Sequence, residues 1–142
     1  METVGHENDK IFGTVHTAAY NVMKGTQKGG AIYKSKADWH TYEVNWEQDR
    51  IQFAVDNQVY YAFSRGESVD EWPFDQEFHL IMNIAVGGTW GGAKGIDEAA
   101  YEGPGQVMEV DWIRVYSSSS VVNVPGKFTN TSSDKTAYTK ES

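Results

Sequence analysis

The sequence contains no cysteine and only three prolines in 142 residues. Without cysteine there is neither a disulfide framework nor a thiol nucleophile, although this absence leaves the cellular compartment open. No stretch reaches the roughly 18 consecutive apolar residues of a membrane span, and the first residues do not resemble a signal peptide. Basic side chains are also few, since 12 Lys and Arg face 20 Asp and Glu to give a net charge of −8. That balance argues against nucleic-acid and anionic-membrane partners and suits a neutral ligand.

Aromatic residues and glycine are abundant instead, with five Trp, eight Tyr, six Phe and fourteen Gly. Short segments of alternating apolar and polar residues are separated by turn signals, and no segment has a helical period. The chain is long enough for one domain, which at this size would bury roughly 70% of its unfolded surface. The pattern predicts an all-β fold, an antiparallel β-sandwich of the jelly-roll, or concanavalin-like, type.

Alternation typical of strands recurs along the chain, in residues 11–17, 31–33, 38–46, 50–55, 59–63 and 108–116. In the first of these segments Phe12, Thr14 and His16 share one face. The pair Asp56 and Asn57 separates two later segments, and both residues tolerate the positive φ of a two-residue turn. The sequence therefore predicts a β-hairpin at this pair.

The longest alternating run lies between Phe78 and Val86 and predicts a strand with one wholly apolar face. Asn83 lies in the middle of the other face. An unpaired buried amide costs roughly 1–3 kcal/mol, so we expect Asn83 to bond to a neighbouring strand or to project into a cavity. The run ends in a glycine-rich loop that holds Trp90 between two glycine pairs. A flat indole beside a groove is a common platform for a sugar ring.

Four blocks of the sequence carry a family resemblance: GTVHT at 13–17, DWHTYEVNWEQDRIQFAVDNQVYY at 38–61, WPFDQEFHLIMNIAVGGTWGG at 72–92 and MEVDWIRVY at 108–116. In order and rough spacing they resemble glycoside hydrolase family 16, in particular its laminarinase-like endo-β-1,3-glucanases. The resemblance covers residues 1–116 and corresponds to the C-terminal portion of the family's catalytic domain, so we expect an incomplete sandwich. It does not extend to residues 117–142, whose Ser- and Thr-rich composition predicts a linker or tail.

The first five residues, METVG, resemble the end of the family's catalytic motif Glu-x-Asp-x-x-Glu. On that alignment Glu2 is the general acid/base, and the nucleophilic Glu and assisting Asp lie upstream of Met1. A retaining glycosidase needs two carboxylates about 5–5.5 Å apart. The resemblance thus implies a retaining endo-β-1,3-glucanase as the parent protein and a chain that is inactive alone. If the family resemblance is set aside, Met1 is only a start residue and Glu2 is a solvated terminal acid.

The resemblance also implies that His16, Asn83 and Trp90 line the substrate cleft. Taken alone, a strand histidine is more often a core or surface residue than a functional one. Aromatic residues such as Trp39 and Trp46 most often fill the core of a sandwich. The implied partner is a laminarin-like β-glucan, while mixed-linkage glucan, agarose and carrageenan stay open as substrates, as does endo or exo action.

The family's chemistry implies no cofactor. Intact family domains can hold a structural Ca²⁺, for which Asp111 is the matching residue, but this cation needs 6–8 oxygen ligands. With the N-terminal half absent we expect no metal in this chain. The missing strands would leave exposed edges, so the N-terminal half or a second copy is an expected partner. An extracellular or periplasmic location follows from the family alone.

Two other interpretations stay open. A non-catalytic β-glucan-binding module or lectin-like fragment would keep the aromatic groove without a nucleophile, and a nonfunctional truncation product would keep neither. A Glu-x-Asp strand encoded upstream would distinguish an enzyme from the binding module. A cooperative unfolding transition would argue against the truncation product.

Overall fold

The computed structural model describes residues 1–103, 105–117 and 120–122. Within these ranges the regular structure consists of seven β-strands and two short 3-10 helices, and every strand pair is antiparallel. No helix in this part of the chain is both long and apolar enough to cross a membrane. The chain divides into one unit from Met1 to Ile96 and a second unit from Asp97 onward.

The first unit contains two small antiparallel sheets. One sheet pairs β1 (Lys10–Val15) with β2 (Lys28–Tyr33), and a 3-10 helix at Val22–Lys24 lies in their connection. The other sheet has the order β3, β4, β5, formed by Tyr42–Trp46, Arg50–Val55 and Gln58–Ser64. All of these strands follow one another along the chain, so each sheet is built from local connections.

The two sheets pack against each other through alternate residues of their strands. One buried cluster comprises Val15, Ile51, Phe53, Phe63 and Trp72. A second comprises Ile11, Ile32 and Val55. Each cluster draws on both sheets, as the two layers of a β-sandwich require. The buried residues of β1 are those that the sequence places opposite the face of Phe12, so the predicted alternation is confirmed.

Gly13 permits a close approach between the sheets. A Cβ atom at this position would lie 2.5 Å from the Tyr60 hydroxyl oxygen and 2.6 Å from a ring carbon of Phe53. Phe53 stacks on Tyr60 and Tyr61, with ring centroids 6.4 and 6.2 Å away. Burial raises the pKa of Tyr60 to about 12, so its hydroxyl stays neutral between the layers. Any side chain at position 13 would separate the two sheets.

The predicted hairpin is confirmed between β4 and β5. Asp56 and Asn57 have φ angles of 51° and 63°, the positive values that a type I′ turn requires. A register shift between Phe53 and Ala54 marks a β-bulge in this pair. Such bulges bend a strand and increase its twist, which suits a strand that packs under a second layer.

Two strands differ in length from those predicted, since β2 already begins at Lys28 and β3 begins only at Tyr42. Glycine lowers strand propensity, and two glycines occupy the early part of β2. Gly30 nevertheless belongs there because an added Cβ would lie only 3.1 Å from the side chain of Tyr61. Close packing between the sheets, and not local propensity, sets the start of β2.

The largest difference from the sequence prediction concerns residues 78–86. The described part of the chain shows no ladder pairing for them. Their apolar side chains are exposed, Leu80 by 65% and Ile81 by 72%. Alternation shows that a segment suits a strand, but a strand also needs a neighbour that supplies hydrogen bonds. Because residues 78–86 pair with no strand among the described residues, the prediction of a strand here is wrong for this part of the chain.

The second unit has little regular structure among its described residues. Residues 108–114, predicted as most of the last strand, carry no ladder pairing. A 3-10 helix spans Glu98–Tyr101, and β6 (Val115–Ser117) pairs with β7 (Ser120–Val122). Val115 and Tyr116 of β6 are the end of the predicted last strand, whereas Ser117 and β7 lie at the beginning of the segment predicted as a linker. The rest of that segment, at 118, 119 and 123–142, lies outside the described residues.

His40 ties the β2–β3 connection to the turn between β4 and β5. Its Nδ1 lies 2.8 Å from Asp56 Oδ2, and its Nε2 lies 2.7 Å from the Ser35 carbonyl oxygen. Both partners accept, and this arrangement favours the imidazolium form, in which both ring nitrogens donate. The Thr41 amide donates to Asp56 Oδ1 at 3.0 Å, and Lys34 Nζ lies 3.8 Å from Oδ2. The bond to Ser35, together with Asp56, raises the pKa of His40.

We expect the free energy of unfolding to fall as pH rises through the folded-state pKa of His40. Because that pKa is raised above 6.5, the imidazolium contributes fully below pH 6.5 and progressively less above it. His40→Gln should remove this component, whereas His79→Gln, at an exposed position, should retain it. Urea unfolding from about pH 5.5 to about pH 8.5 measures the difference. An NMR titration that gave His40 a pKa at or below 6.5 would contradict the imidazolium assignment.

Phe53→Ala should lower the free energy of unfolding by about 3–5 kcal/mol, because it removes a buried ring between Tyr60 and Tyr61. Phe78→Ala is the matched control, since that ring is 57% exposed and its removal should cost less than about 1 kcal/mol. Denaturant unfolding of both variants gives the comparison. Similar losses for the two substitutions would show that Phe53 does not hold the layers together.

Candidate functional site

Glu2 is joined to the edge of β1 by an antiparallel bridge with Phe12. The Glu2 amide donates to the Phe12 carbonyl at 2.9 Å, and the Phe12 amide donates to the Glu2 carbonyl at 2.9 Å. Directly opposed residues of an antiparallel pair project to the same face of the sheet. The carboxyl group of Glu2 therefore lies on the outer face of β1, away from the second sheet, and is exposed.

Trp90 packs on the same residue. Its ring meets Phe12 edge to face, with centroids 5.0 Å apart and an interplanar angle of 78°, and it keeps 40% of its surface exposed. The loop that holds it turns at Gly87 and Gly88, whose φ angles are 73° and 74°. A Cβ at Gly91 would lie 2.6 Å from the Gly87 carbonyl oxygen. The glycines thus fold the loop tightly enough to bring the indole onto β1.

His16 directly follows β1 and continues the face that carries Phe12. Its side chain is exposed, and it borders an apolar groove of about 210 Å³ together with residues of β1, β3 and the segment after Trp72. An imidazole at the rim can donate or accept a hydrogen bond without leaving water. Glu2, His16 and Trp90, three residues singled out by the sequence, therefore share the outer side of one strand.

Asn83 does not join them. It lies within residues 78–86, is exposed, and makes no side-chain hydrogen bond in the part of the chain that the structure describes. The expectation that a neighbouring strand or a cavity receives its amide depended on the strand that the structure lacks. Solvent can satisfy the amide instead, so the energetic argument for a buried partner does not apply here.

Sequence reasoning missed two side chains on this face. Phe12 is the contact that orients Trp90, and Lys10 places its ammonium group 4.7 Å from the Phe12 ring centroid. Lys10 also lies 3.6 Å from a carboxylate oxygen of Glu7. The two-residue alternation that places Phe12 and His16 on one face of β1 also places Lys10 on that face. The outer face of β1 thus offers a carboxyl, a cation, an imidazole and a partly exposed indole.

Asp111 has no cluster of acidic or other ligand side chains around it in the part of the chain that the structure describes. Asp111 is exposed, and no group of three or more His, Cys, Asp or Glu among the described residues is arranged to hold a metal ion. One carboxylate supplies at most two of the 6–8 oxygen ligands that Ca²⁺ needs. The acidic residue that matches the family's ligand is therefore insufficient within the described chain.

Comparison with known proteins identifies the family. The sequence profile of Glycosyl hydrolases family 16 matches residues 1–114. A beta-glucanase of Rhodothermus marinus is 48% identical over 124 residues, which cover 82% of this chain and 42% of that protein. The X-ray structure of the laminarinase from Rhodothermus marinus matches with a TM-score of 0.67 at 48% identity, covering 70% of this chain and 43% of that one.

A crystal structure of SCLam, a non-specific endo-β-1,3(4)-glucanase, matches with a TM-score of 0.62 at 41% identity, covering 66% of this chain and 36% of that one. The chain therefore spans less than half the length of these relatives. The structural likeness to laminarinases confirms the predicted fold class, an all-β antiparallel sandwich of the jelly-roll type. Since the family profile matches most of the sequence and a relative is 48% identical, the chain belongs to Glycosyl hydrolases family 16.

Proposed function

We propose that this chain supplies the acid/base side of an active site that hydrolyses internal β-1,3-glucosidic bonds in laminarin-like glucans. One observation carries the proposal: Glu2 lies opposite Phe12 on the face of β1 that also bears His16 and Trp90. Membership of the family supports it, because the relatives include a laminarinase and an endo-β-1,3(4)-glucanase. A variant of the latter carries 1,3-β-D-cellobiosyl-glucose at its active site.

The proposed reaction is a double displacement with retention. In the first step Glu2 donates a proton to the glycosidic oxygen while a second carboxylate attacks the anomeric carbon and expels the leaving sugar. In the second step Glu2 takes a proton from water, whose oxygen attacks the same carbon and frees the nucleophile. The resemblance of METVG to the catalytic motif assigns that nucleophile to a residue upstream of Met1. Residues 1–142 alone should therefore complete neither step.

Trp90 and His16 have proposed roles in holding the sugar. The edge-to-face contact with Phe12 fixes the Trp90 indole. Part of the indole stays exposed and is open to a ligand. A glucosyl ring that stacks on this indole would lie on the side of β1 that carries Glu2. His16 would bond a sugar hydroxyl at the rim of the groove. We propose that Asn83 reaches the cleft only when residues 78–86 are paired as a strand.

Glucan binding without hydrolysis is the second candidate. The observation that favours it is that the partly exposed indole and the imidazole are held by β1 and the glycine loop, without any contribution from a second carboxylate. Such a face could retain a neutral glucan, which also suits the net charge of −8. The two candidates differ in whether removal of the Glu2 carboxyl affects bond cleavage in a completed domain.

A chimera tests the catalytic proposal. Residues 1–116 would replace the matching segment of the Rhodothermus marinus beta-glucanase, and release of reducing sugar from laminarin would be measured. We expect Glu2→Gln to lower kcat/KM by about 10²–10⁴-fold, the usual contribution of general acid–base catalysis. Glu77→Gln, at an exposed position, is the matched control and should leave the rate unchanged. The isolated chain should release no sugar.

If Glu2→Gln left the rate of an active chimera unchanged, Glu2 would not be the acid/base. Turnover by the isolated chain that Glu2→Gln abolished would reveal a second carboxylate within residues 1–142. A folded chimera that binds laminarin without cleaving it would favour the binding module.

Trp90→Ala should weaken binding of a laminarin oligosaccharide to the chimera by about tenfold, equivalent to ~1.4 kcal/mol, because a stacking surface is lost. Loss of the edge-to-face contact with Phe12 should cost only about 0.5–1.5 kcal/mol of stability. Trp39→Ala is the matched control, since Trp39 is 65% exposed and lies in the connection before β3. Isothermal titration calorimetry measures the oligosaccharide affinity of both variants. An unchanged affinity for the Trp90 variant would reduce its role to packing.

A further inference from the structure

The connection between Glu2 and β1 is held by the segment that follows β2. Within this connection the Glu7 amide donates to the Val4 carbonyl at 3.2 Å, which closes a turn. Asp9 has a φ angle of 55°, so the chain changes direction again just before β1. The Lys34 amide donates to the Asp9 carbonyl at 2.8 Å and continues the β1–β2 ladder by one hydrogen bond. The connection therefore packs along the end of the first sheet.

Lys36 joins both ends of the turn in this connection. Its Nζ donates to the Glu7 carbonyl at 2.8 Å and to the Val4 carbonyl at 3.2 Å. Its amide donates to Asp9 Oδ1 at 3.0 Å. The ammonium group thus binds main-chain oxygens and fixes the course of the backbone. Hydrogen bonds from a charged donor are roughly twice as strong as neutral ones, so Lys36 is a strong tie two residues away from Glu2.

Glu2 depends on such a tie because it meets β1 at a single point. The bridge with Phe12 consists of two backbone hydrogen bonds, both of 2.9 Å. One isolated bridge fixes the distance between two residues but leaves the direction of the chain beyond it free to vary. The side-chain direction of Glu2 follows that of its backbone. A fixed turn after Glu2 therefore restrains where its carboxyl group points.

We propose that Lys36 is a positioning residue that holds the Glu2 carboxyl where it can protonate the leaving oxygen. The inference rests on the proposed function, because it explains how the acid assigned there is kept in place. Lys36 acts through the backbone of the turn and touches neither the sugar nor the carboxyl group. A general acid must lie within hydrogen-bond reach of the atom that it protonates. A misplacement of about 1 Å can cost about a hundredfold in rate, so a distant tie of this kind affects catalysis.

The test compares two substrates of the chimera. Laminarin has a sugar leaving group that needs protonation, whereas the dinitrophenyl glycoside of a β-1,3-linked glucose disaccharide releases an acidic phenol that needs little. For a double displacement, kcat/KM reports the first step. Lys36→Met should lower kcat/KM for laminarin by about tenfold and for the aryl glycoside by less than about twofold. A loss of folded protein alone would lower both values equally.

Two further variants sharpen this comparison. Lys36→Arg should keep most of the laminarin rate, because a guanidinium can donate to the same two carbonyls. Lys24→Met is the matched control, since the Lys24 ammonium also donates to a backbone carbonyl, that of Ala18 at 2.6 Å, and is exposed. It should change neither kcat/KM value by more than about twofold.

Hydrogen exchange of the isotopically labelled chain provides a readout that needs no catalysis. Lys36→Met should speed exchange of the Glu2 and Phe12 amides by at least about tenfold, because the bridge opens more often. The Lys24 variant should leave both exchange rates within about twofold of the original.

The inference is overturned if Lys36→Met leaves both amides unchanged or lowers the two kcat/KM values by the same factor. If Glu2→Gln slows laminarin selectively and Lys36→Met does not, the role of Lys36 is lost and that of Glu2 stands. If Glu2→Gln itself spares the laminarin rate, the proposed function and the positioning role both fail.

Discussion

The contact between Gly13 and the ring of Phe53 is the constraint on which the first unit depends. With no side chain at position 13, β1 settles directly on β4, and the aromatic stack of Phe53 with its neighbours fills the space between the sheets. The alternation of β1 then leaves no freedom for its other face. Phe12 and Thr14, on either side of Gly13, must then point outward, and His16 continues their face on the side where Glu2 joins the edge. The candidate site is thus a consequence of how the core is packed.

Local signals in the sequence were sufficient where the chain satisfies its own hydrogen bonds. Asp56 and Asn57 specify the hairpin because few residues accept positive φ, and their strands are adjacent in sequence. Alternation also separates the two faces of β1, so the amino-acid pattern alone assigns Phe12 and His16 to one side of the strand. In contrast, the contact of Trp90 with Phe12 joins distant parts of the chain. No local pattern encodes it, and the same is true of the imidazolium contact of His40.

Residues 78–86 show the limit of such reasoning most clearly. Their period of two describes side chains that suit a sheet, but periodicity cannot say whether a neighbouring strand is available. The inner face of β3 is only partly covered, since Val44 is 54% exposed and Trp46 keeps 46% of its surface exposed although the Phe78 ring meets it edge to face. Because residues 78–86 are not paired as a strand, the position of Asn83 beside a cleft could not be predicted from periodicity. The polar face of β1 and the exposed apolar surface of β3 meet at the groove that His16 borders.

We propose that the outer face of β1 is the surface that meets a β-glucan. NMR chemical shifts of the isotopically labelled chain, followed during titration with a β-1,3-linked glucose oligosaccharide, test this directly. We expect the largest shifts at Glu2, Phe12, His16 and the indole N–H of Trp90. Shifts confined to other exposed aromatic residues such as Trp39, with the face of β1 unaffected at saturation, would contradict it.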